Sequence, residues 1–241
     1  MKTKSIVIVL ALTLGLFTSC DHETIRASDE VSSLNYSIPD YSALDVSNAF
    51  NVYVTFSSDE EDIRIEANEN LHGRIIVKRD GNALVIKLKK FTQVRGNATL
   101  NAYITTNQLS EIDLSGASTL RLENLWDIED GSIDISGSSE FTGEVNTKRL
   151  DIDSSGDSQT DIFGNIEVLN ADLSGSSEIR DFDLTAERLR IDLSGASKAY
   201  LRVNETIEVE ASGASKLSYK GEARITQKDL SGASEIVKID G

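Results

Sequence analysis

The sequence predicts an all-β chain built as a right-handed parallel β-helix, a solenoid with coils of about 19 residues and an N-terminal β cap. Three observations carry this. A phrase of an acid set mostly between hydrophobic residues, then Ser-Gly-x-Ser, recurs seven times, with its glycines at Gly116, Gly137, Gly156, Gly175, Gly195, Gly213 and Gly232 and intervals of 18 to 21 residues. A fixed short period of this kind marks a stacked solenoid. Within a copy the residues alternate, as in Ile112-Asp113-Leu114 and Ile191-Asp192-Leu193, which is the period of a strand with one buried face. The single proline, Pro39, lies outside the repeats, as expected where every backbone N–H must join a ladder.

Taken in chain order, residues 1–19 read as an export signal, with Lys2 and Lys4 before an apolar stretch from Ile6 to Phe17 that is too short for a membrane span. Cys20 directly follows Thr18 and Ser19. That placement resembles the bacterial lipoprotein signal, so Cys20 is the expected lipid anchor and the membrane an expected partner. Losing residues 1–19 leaves 22 basic against 40 acidic side chains, a formal charge of −18, which excludes nucleic-acid binding through the bulk surface. Residues 20–35 are polar and without period, the composition of a tether. His22 falls within it.

Residues 36–241 are expected to form one domain, with cap and irregular coils over 36–107 and the seven repeats over 108–241. The cap segment still alternates, in Phe50 to Phe56, Asp62 to Ala67 and Leu84 to Leu88, and Asp80-Gly81-Asn82 is a hairpin turn between antiparallel strands. In each repeat a first strand runs up to the Ser-Gly bend, where glycine makes the turn cheap, and a second short strand follows, as at Ile179 or Leu217. Seven coils at the interstrand spacing stack to roughly 30 Å. The uneven intervals disfavour the left-handed hexapeptide helix. A leucine-rich repeat matches Leu109, Ile112 and Leu114 but finds Ala117 where it needs asparagine.

Stacking the copies lines up Asp113, Asp134, Asp153, Asp172, Asp192, Glu210 and Asp229. At about 5 Å apart, neighbours repel by about 1 kcal/mol through water and by about 3 to 4 kcal/mol at an effective dielectric of about 20. Hydration, salt, and hydrogen bonds from the serines one step along, Ser115, Ser136, Ser155, Ser174, Ser194, Ser212 and Ser231, are expected to offset this. A looser alternative is calcium, a hard cation that takes carboxylate oxygens, although no calcium-binding loop motif is present and no metal site is certain. The serines after each glycine, from Ser118 to Ser234, are read as a structural ladder at the bend.

A second charge feature opposes the first. Arg74, Lys78, Arg79, Lys87, Lys89, Lys90 and Arg95 fall in one window with only Asp80 against them. Edge-strand cations that discourage aggregation account for such a run, and an anionic-ligand patch is the sharper reading. Catalysis lacks its parts. The chain has no Gly-x-Ser-x-Gly elbow, no His-Glu-x-x-His pair and no phosphate loop, and His72, outside the tether, is expected at the surface. No catalytic residues and no cofactor are assigned.

The stretch from Leu44-Asp45-Val46 to Phe56, the Asp80-Gly81-Asn82-Ala83-Leu84 turn and the Ile-Asp-Leu-Ser-Gly-Ala-Ser copies together resemble the putative auto-transporter adhesin, head GIN domain family over roughly residues 41 to 225. The resemblance implies an exported, often lipid-anchored, right-handed β-helical protein of Bacteroidetes type, and it brings no ligand residues with it. The expected function is that of a cell-envelope lipoprotein at the outer membrane, facing outward or toward the periplasm, whose non-catalytic solenoid binds a glycan or protein surface. A carbohydrate-active lyase or hydrolase and a purely structural envelope component are the alternatives. End-to-end self-association through the last coil is a further expected partnership.

Overall fold

The computed structural model describes residues 23–180 and 182–240, so the signal segment, Cys20 and His22 lie outside the described residues. The first strands are β1 (Glu23–Arg26), β2 (Val31–Tyr36), β3 (Ala43–Val46), β4 (Asn51–Phe56) and β5 (Asp62–Asn68). After a short 3-10 turn at Glu69–Arg74 come β6 (Ile75–Asp80), β7 (Ala83–Leu88), β8 (Thr92–Arg95), β9 (Leu100–Thr106), β10 (Glu111–Leu114) and β11 (Thr119–Leu122). The regular coils contain β12 (Trp126–Ile135), β13 (Glu140–Ser154), β14 (Gln159–Leu173), β15 (Glu178–Arg180), β16 (Leu184–Leu193), β17 (Lys198–Ala211), β18 (Lys216–Lys220), β19 (Arg224–Leu230) and β20 (Glu235–Lys238).

From β10 onward every pairing is parallel and joins one coil to the next, as the period requires. Each regular coil has three strand runs rather than two. The third lies between the familiar pair, where Trp126–Ile128 pairs with Val145–Thr147 and then with Gly164–Ile166. It carries no Ser-Gly phrase, and its inward residues include Trp126, Val145 and Ile166.

The bends explain the glycines. At each of the seven the glycine has φ between +71° and +82°, a backbone region that disfavours side chains. A Cβ on Gly137 would sit 2.4 Å from the Gly116 carbonyl oxygen, and one on Gly175 would sit 2.6 Å from that of Gly156. Those same carbonyls accept the N–H of the next coil, Ser138 to Gly116 and Ser176 to Gly156 at 2.7 Å each. The sheet ladder therefore continues through the bend, and a side chain has no place there. The second serines are wholly buried from Ser118 to Ser215; Ser118, Ser139 and Ser158 each donate to the carbonyl three residues back. Ser177 and Ser197 reach a carbonyl of the coil below.

Inward residues form continuous columns. One runs Leu84, Leu44, Ile112, Ile133, Ile152, Ala171, Ile191 and Val209, all buried. Another contains Phe141, Thr160 and Ile179. Thr160 is fully buried and its hydroxyl has no hydrogen-bond partner among the described residues, which costs about 1 to 3 kcal/mol. Thr160→Val, nearly isosteric, is expected to raise stability by about 1 kcal/mol in urea denaturation; a lower midpoint would show that the hydroxyl is satisfied in solution.

The segment before the repeats supplies both the foot of the stack and an excursion from it. β3 and β4 lie directly beneath β10 and β11, in parallel, so they form a coil of the same stack. Asn48 takes the place of the bend glycine there, at φ +85°, and its side-chain Oδ1 accepts the Leu88 N–H at 2.9 Å. An amide side chain is tolerated because Asn48 is the lowest member of the bend column. The chain then leaves to form β5–β9. Of these, β7 and β9 slide in parallel beneath β3 and β4, while β6 and β5 close the end in antiparallel pairing. Gly81, at φ +63°, makes the β6–β7 turn.

One sequence expectation changes here. Residues 23–36, within or bordering the stretch read as tether, are paired from Glu23 onward: β1 runs along β8, and β2 adds to β5. Their polar composition misled because both are edge strands with little to bury. At the opposite end, Lys228 continues the Val209 column and Lys238 continues that of Tyr219. The coil that bears them places ammonium groups on two core columns, an arrangement that opposes pairing with another chain.

Candidate functional site

The shared first strands place the acids in a single outward row. The register is Asp113, Asp134, Asp153, Asp172, Asp192, Glu210 and Asp229, one per coil. All seven sequence-predicted carboxylates are thus brought together. The row extends one coil further, because Asp45 lies beside Asp113, and it ends at Val85 beneath. Asp45 was missed because its phrase reads Val46-Ser47-Asn48, with asparagine in the glycine position. The Leu44-Asp45-Val46 alternation was the available signal.

Between this row and the bend serines runs an open groove of about 760 Å3. Its walls alternate carboxylates with Ser136, Ser155, Ser174, Ser194, Ser212 and Ser231, over a floor that includes Ile135, Leu173 and Leu193. Burial, and then the neighbouring charges, raise the pKa of several acids above the ordinary carboxylate range. For Asp113 the neighbours are Asp45, Asp134 and Glu111; for Asp153 they are Asp134 and Asp151. Asp134 and Asp172 move the same way, Asp172 being partly relieved by Arg190.

That relief shows how the row is tolerated. On its other side runs a parallel column of Glu111, Ser132, Asp151, Asn170, Arg190, Glu208 and Gln227. Neutral and cationic members interrupt the acids: Asn170 donates to Asp151 at 2.6 Å, and Gln227 donates to Glu210 at 3.2 Å. Among the described residues no bend serine donates to a carboxylate of the row, contrary to the sequence expectation; the Gln227 bond reaches the row at Glu210, whereas the Asn170 bond stays within the column. The carboxylates form a line and not a cage, and among the described residues no group of three or more acids, histidines or cysteines converges as a metal site would. Calcium on such a line would act as a mobile counter-ion.

The basic window is divided by the fold. Arg74 pairs with Glu23, Lys78 with Asp80 at 2.6 Å, and Arg79 reaches the Pro39 and Asp40 carbonyls at 3.1 Å. Arg95 lies opposite Arg26 in the β1–β8 pair. Lys87, Lys89 and Lys90 form no ion pair among the described residues. His72, expected at the surface, is half-buried, its Nε2 3.0 Å from Ser32 Oγ and 3.2 Å from the Ser32 carbonyl oxygen; the addition of β2 to β5 brings Ser32 over it.

The fold is shared with solved structures. A protein described as a putative adhesin from Bacteroides fragilis matches with TM-score 0.78 at 22% identity, over 90% of this chain and 98% of that one. A putative adhesin from Parabacteroides merdae matches with TM-score 0.72 at 18% identity, over 90% and 99%. A protein described as a putative lipid binding protein from Parabacteroides distasonis matches with TM-score 0.72 at 17% identity, over 90% and 100%. No curated protein matches the chain. The model of the family described as "Putative auto-transporter adhesin, head GIN domain" spans residues 40–223, which takes in the Asn48 coil, the excursion and all but the last of the Ser-Gly bends. The chain belongs to the putative auto-transporter adhesin, head GIN domain family.

Proposed function

We propose that this chain is a cell-envelope lipoprotein, anchored through Cys20 at the outer membrane, whose solenoid is a non-catalytic adhesion module for a glycan or protein surface. The observation that carries the reading is the long groove of about 760 Å3, which repeats the same carboxylate and hydroxyl pair coil after coil. A repeating line of like groups suits an extended partner held by many weak contacts, whereas catalysis needs unlike groups gathered at one point. The adhesin family supports an adhesive role and a place in the cell envelope. The placing of Cys20 directly after Thr18 and Ser19, behind the apolar stretch from Ile6 to Phe17, supports attachment through that cysteine. The acidity of the groove favours a basic protein face or a neutral, hydroxyl-rich glycan over an acidic polysaccharide. The anionic-ligand reading of the basic window narrows to Lys87, Lys89 and Lys90.

The test is attachment of cells to surfaces coated with neutral glycans or basic proteins. Cells carrying the parent chain are expected to attach, and attachment is expected to fall with Cys20→Ala and with the triple change Asp134→Asn, Asp153→Asn, Asp172→Asn. Equal attachment by cells lacking the protein, or release of new reducing ends from a polysaccharide by the purified chain, would overturn the reading.

A further inference from the structure

The foot of the stack carries cations and an aromatic that lie outside the groove. There β1 and β8 form a two-stranded ribbon of their own. It is tied to the 3-10 turn that joins β5 to β6: Asn70 Nδ2 donates to the Arg26 carbonyl, and the Lys89 N–H to the Arg74 carbonyl, at 2.8 Å each. Ile25 and Val94 pack on the core, so alternation turns Arg26 and Arg95 outward, directly opposite one another. Like charges so placed are destabilising. β8 is entered through a turn closed by the Thr92 N–H on the Lys89 carbonyl at 3.2 Å, with Lys90 and Phe91 as its central pair.

Two further features of this ribbon point to a partner. Phe91 has φ +63°, at a turn position that ordinarily takes glycine or asparagine, and it is 57% exposed. A bulky residue in that backbone region is an outlier of the kind that clusters at functional sites. Beside it, Arg26, Lys89, Lys90 and Arg95 are exposed and form no ion pair among the described residues. Glu23 is taken up by Arg74, and Asp29 and Glu30 lie past the far end of the ribbon. An independent constraint comes from chain length. The Glu23 N–H bonds the Phe91 carbonyl at 3.0 Å, and Cys20 is only three residues before Glu23. Three residues span at most about 11 Å.

We propose that the ribbon docks on the membrane that holds the lipid of Cys20, with Phe91 entering the interface and Lys89, Lys90, Arg26 and Arg95 binding anionic phosphates of the lipid headgroups. The docking rests on the reading of Cys20 as the anchor. A tether that short brings the Phe91 turn to the bilayer surface, where an aromatic flanked by cations gains from both acyl chains and headgroups. Charge favours the same pose. The chain as a whole is strongly acidic and is repelled by an anionic surface, whereas the ribbon is attracted. The solenoid then stands on its foot, and the carboxylate row rises away from the bilayer.

The test uses the full chain purified from cell membranes and reconstituted in vesicles of phosphatidylethanolamine and phosphatidylglycerol with bromines on the upper acyl chain. Phe91→Trp is the reporter, Phe163→Trp in β14 is the control, and both are read against the constant signal of buried Trp126. Quenching by the bromines is expected in Phe91→Trp and not in Phe163→Trp. Adding Lys89→Glu, Lys90→Glu and Arg95→Glu to Phe91→Trp is expected to shift the ratio of docked to free ribbon by about 100-fold or more and so to remove the quenching. Raised salt is expected to weaken it with every cation in place, which keeps the result independent of how the charge-reversed chain folds. The mass of the same protein reads the anchor. Lipid on Cys20 with Phe91→Trp unquenched, quenched no more than Phe163→Trp, or indifferent to charge reversal and salt would overturn the docking alone. Absence of lipid on Cys20 would overturn the anchor reading and the docking with it.

Discussion

Gly175→Ala is expected to lower stability by at least about 3 kcal/mol, and the melting temperature by about 6 to 12 °C. Two costs combine. A side chain at φ +72° costs about 1 to 2 kcal/mol. A methyl 2.6 Å from the Gly156 carbonyl oxygen must push apart two coils whose bend is held there by the Ser176 N–H at 2.7 Å. Gly81→Ala separates the two terms, because Gly81 also has positive φ, +63°, but has nothing within 4 Å of an added Cβ. It is expected to cost only about 1 to 2 kcal/mol. Equal losses at the two positions in thermal and urea denaturation would show that the stacked carbonyls do not enforce glycine.

The second large effect is on pH dependence. Asp113, Asp134, Asp153 and Asp172 have pKa values raised above the ordinary 3.8, so the folded chain takes up protons before the unfolded chain does. Stability must then rise as pH falls through the raised values, and the gain is complete below about 3.8 to 3.9, the ordinary value for the unfolded chain. Exposed Asp80 and Glu129 have lowered values. They act in the opposite sense, and their contribution is lost only below their own ordinary range. Melting temperature measured from pH 7 downward is therefore expected to climb before acid unfolding sets in. Asp134→Asn, Asp153→Asn and Asp172→Asn together should raise it at pH 7 and flatten the climb. A melting temperature that falls steadily from pH 7 and ignores the triple change would mean that the row is already neutralised, by bound cations or otherwise.

How much of this could be read in advance follows from where the physics writes itself into sequence. The bend leaves room for no Cβ, so glycine recurs at every turn of the stack and the coil period is legible; the carboxylate row follows from it. Where another residue does the same task the signal fades. Asn48 takes the left-handed bend with an amide that bonds Leu88, and so the lowest coil and Asp45 stayed hidden. The third strand run has only an apolar pattern, and β1 and β2 bury so little that they look like linker.

The bend column also has a consequence for how such a chain changes over generations. Every interior coil presents the same glycine carbonyl upward and the same N–H downward, so a spliced-in unit of about 19 residues would meet matching surfaces on both sides. Only the extremities are bespoke: Asn48 closes the column below, and Lys228 and Lys238 occupy the core columns above. The stack could therefore lengthen or shorten by whole coils through duplication or deletion within the gene, the groove growing with it, while the two end pieces stay as they are.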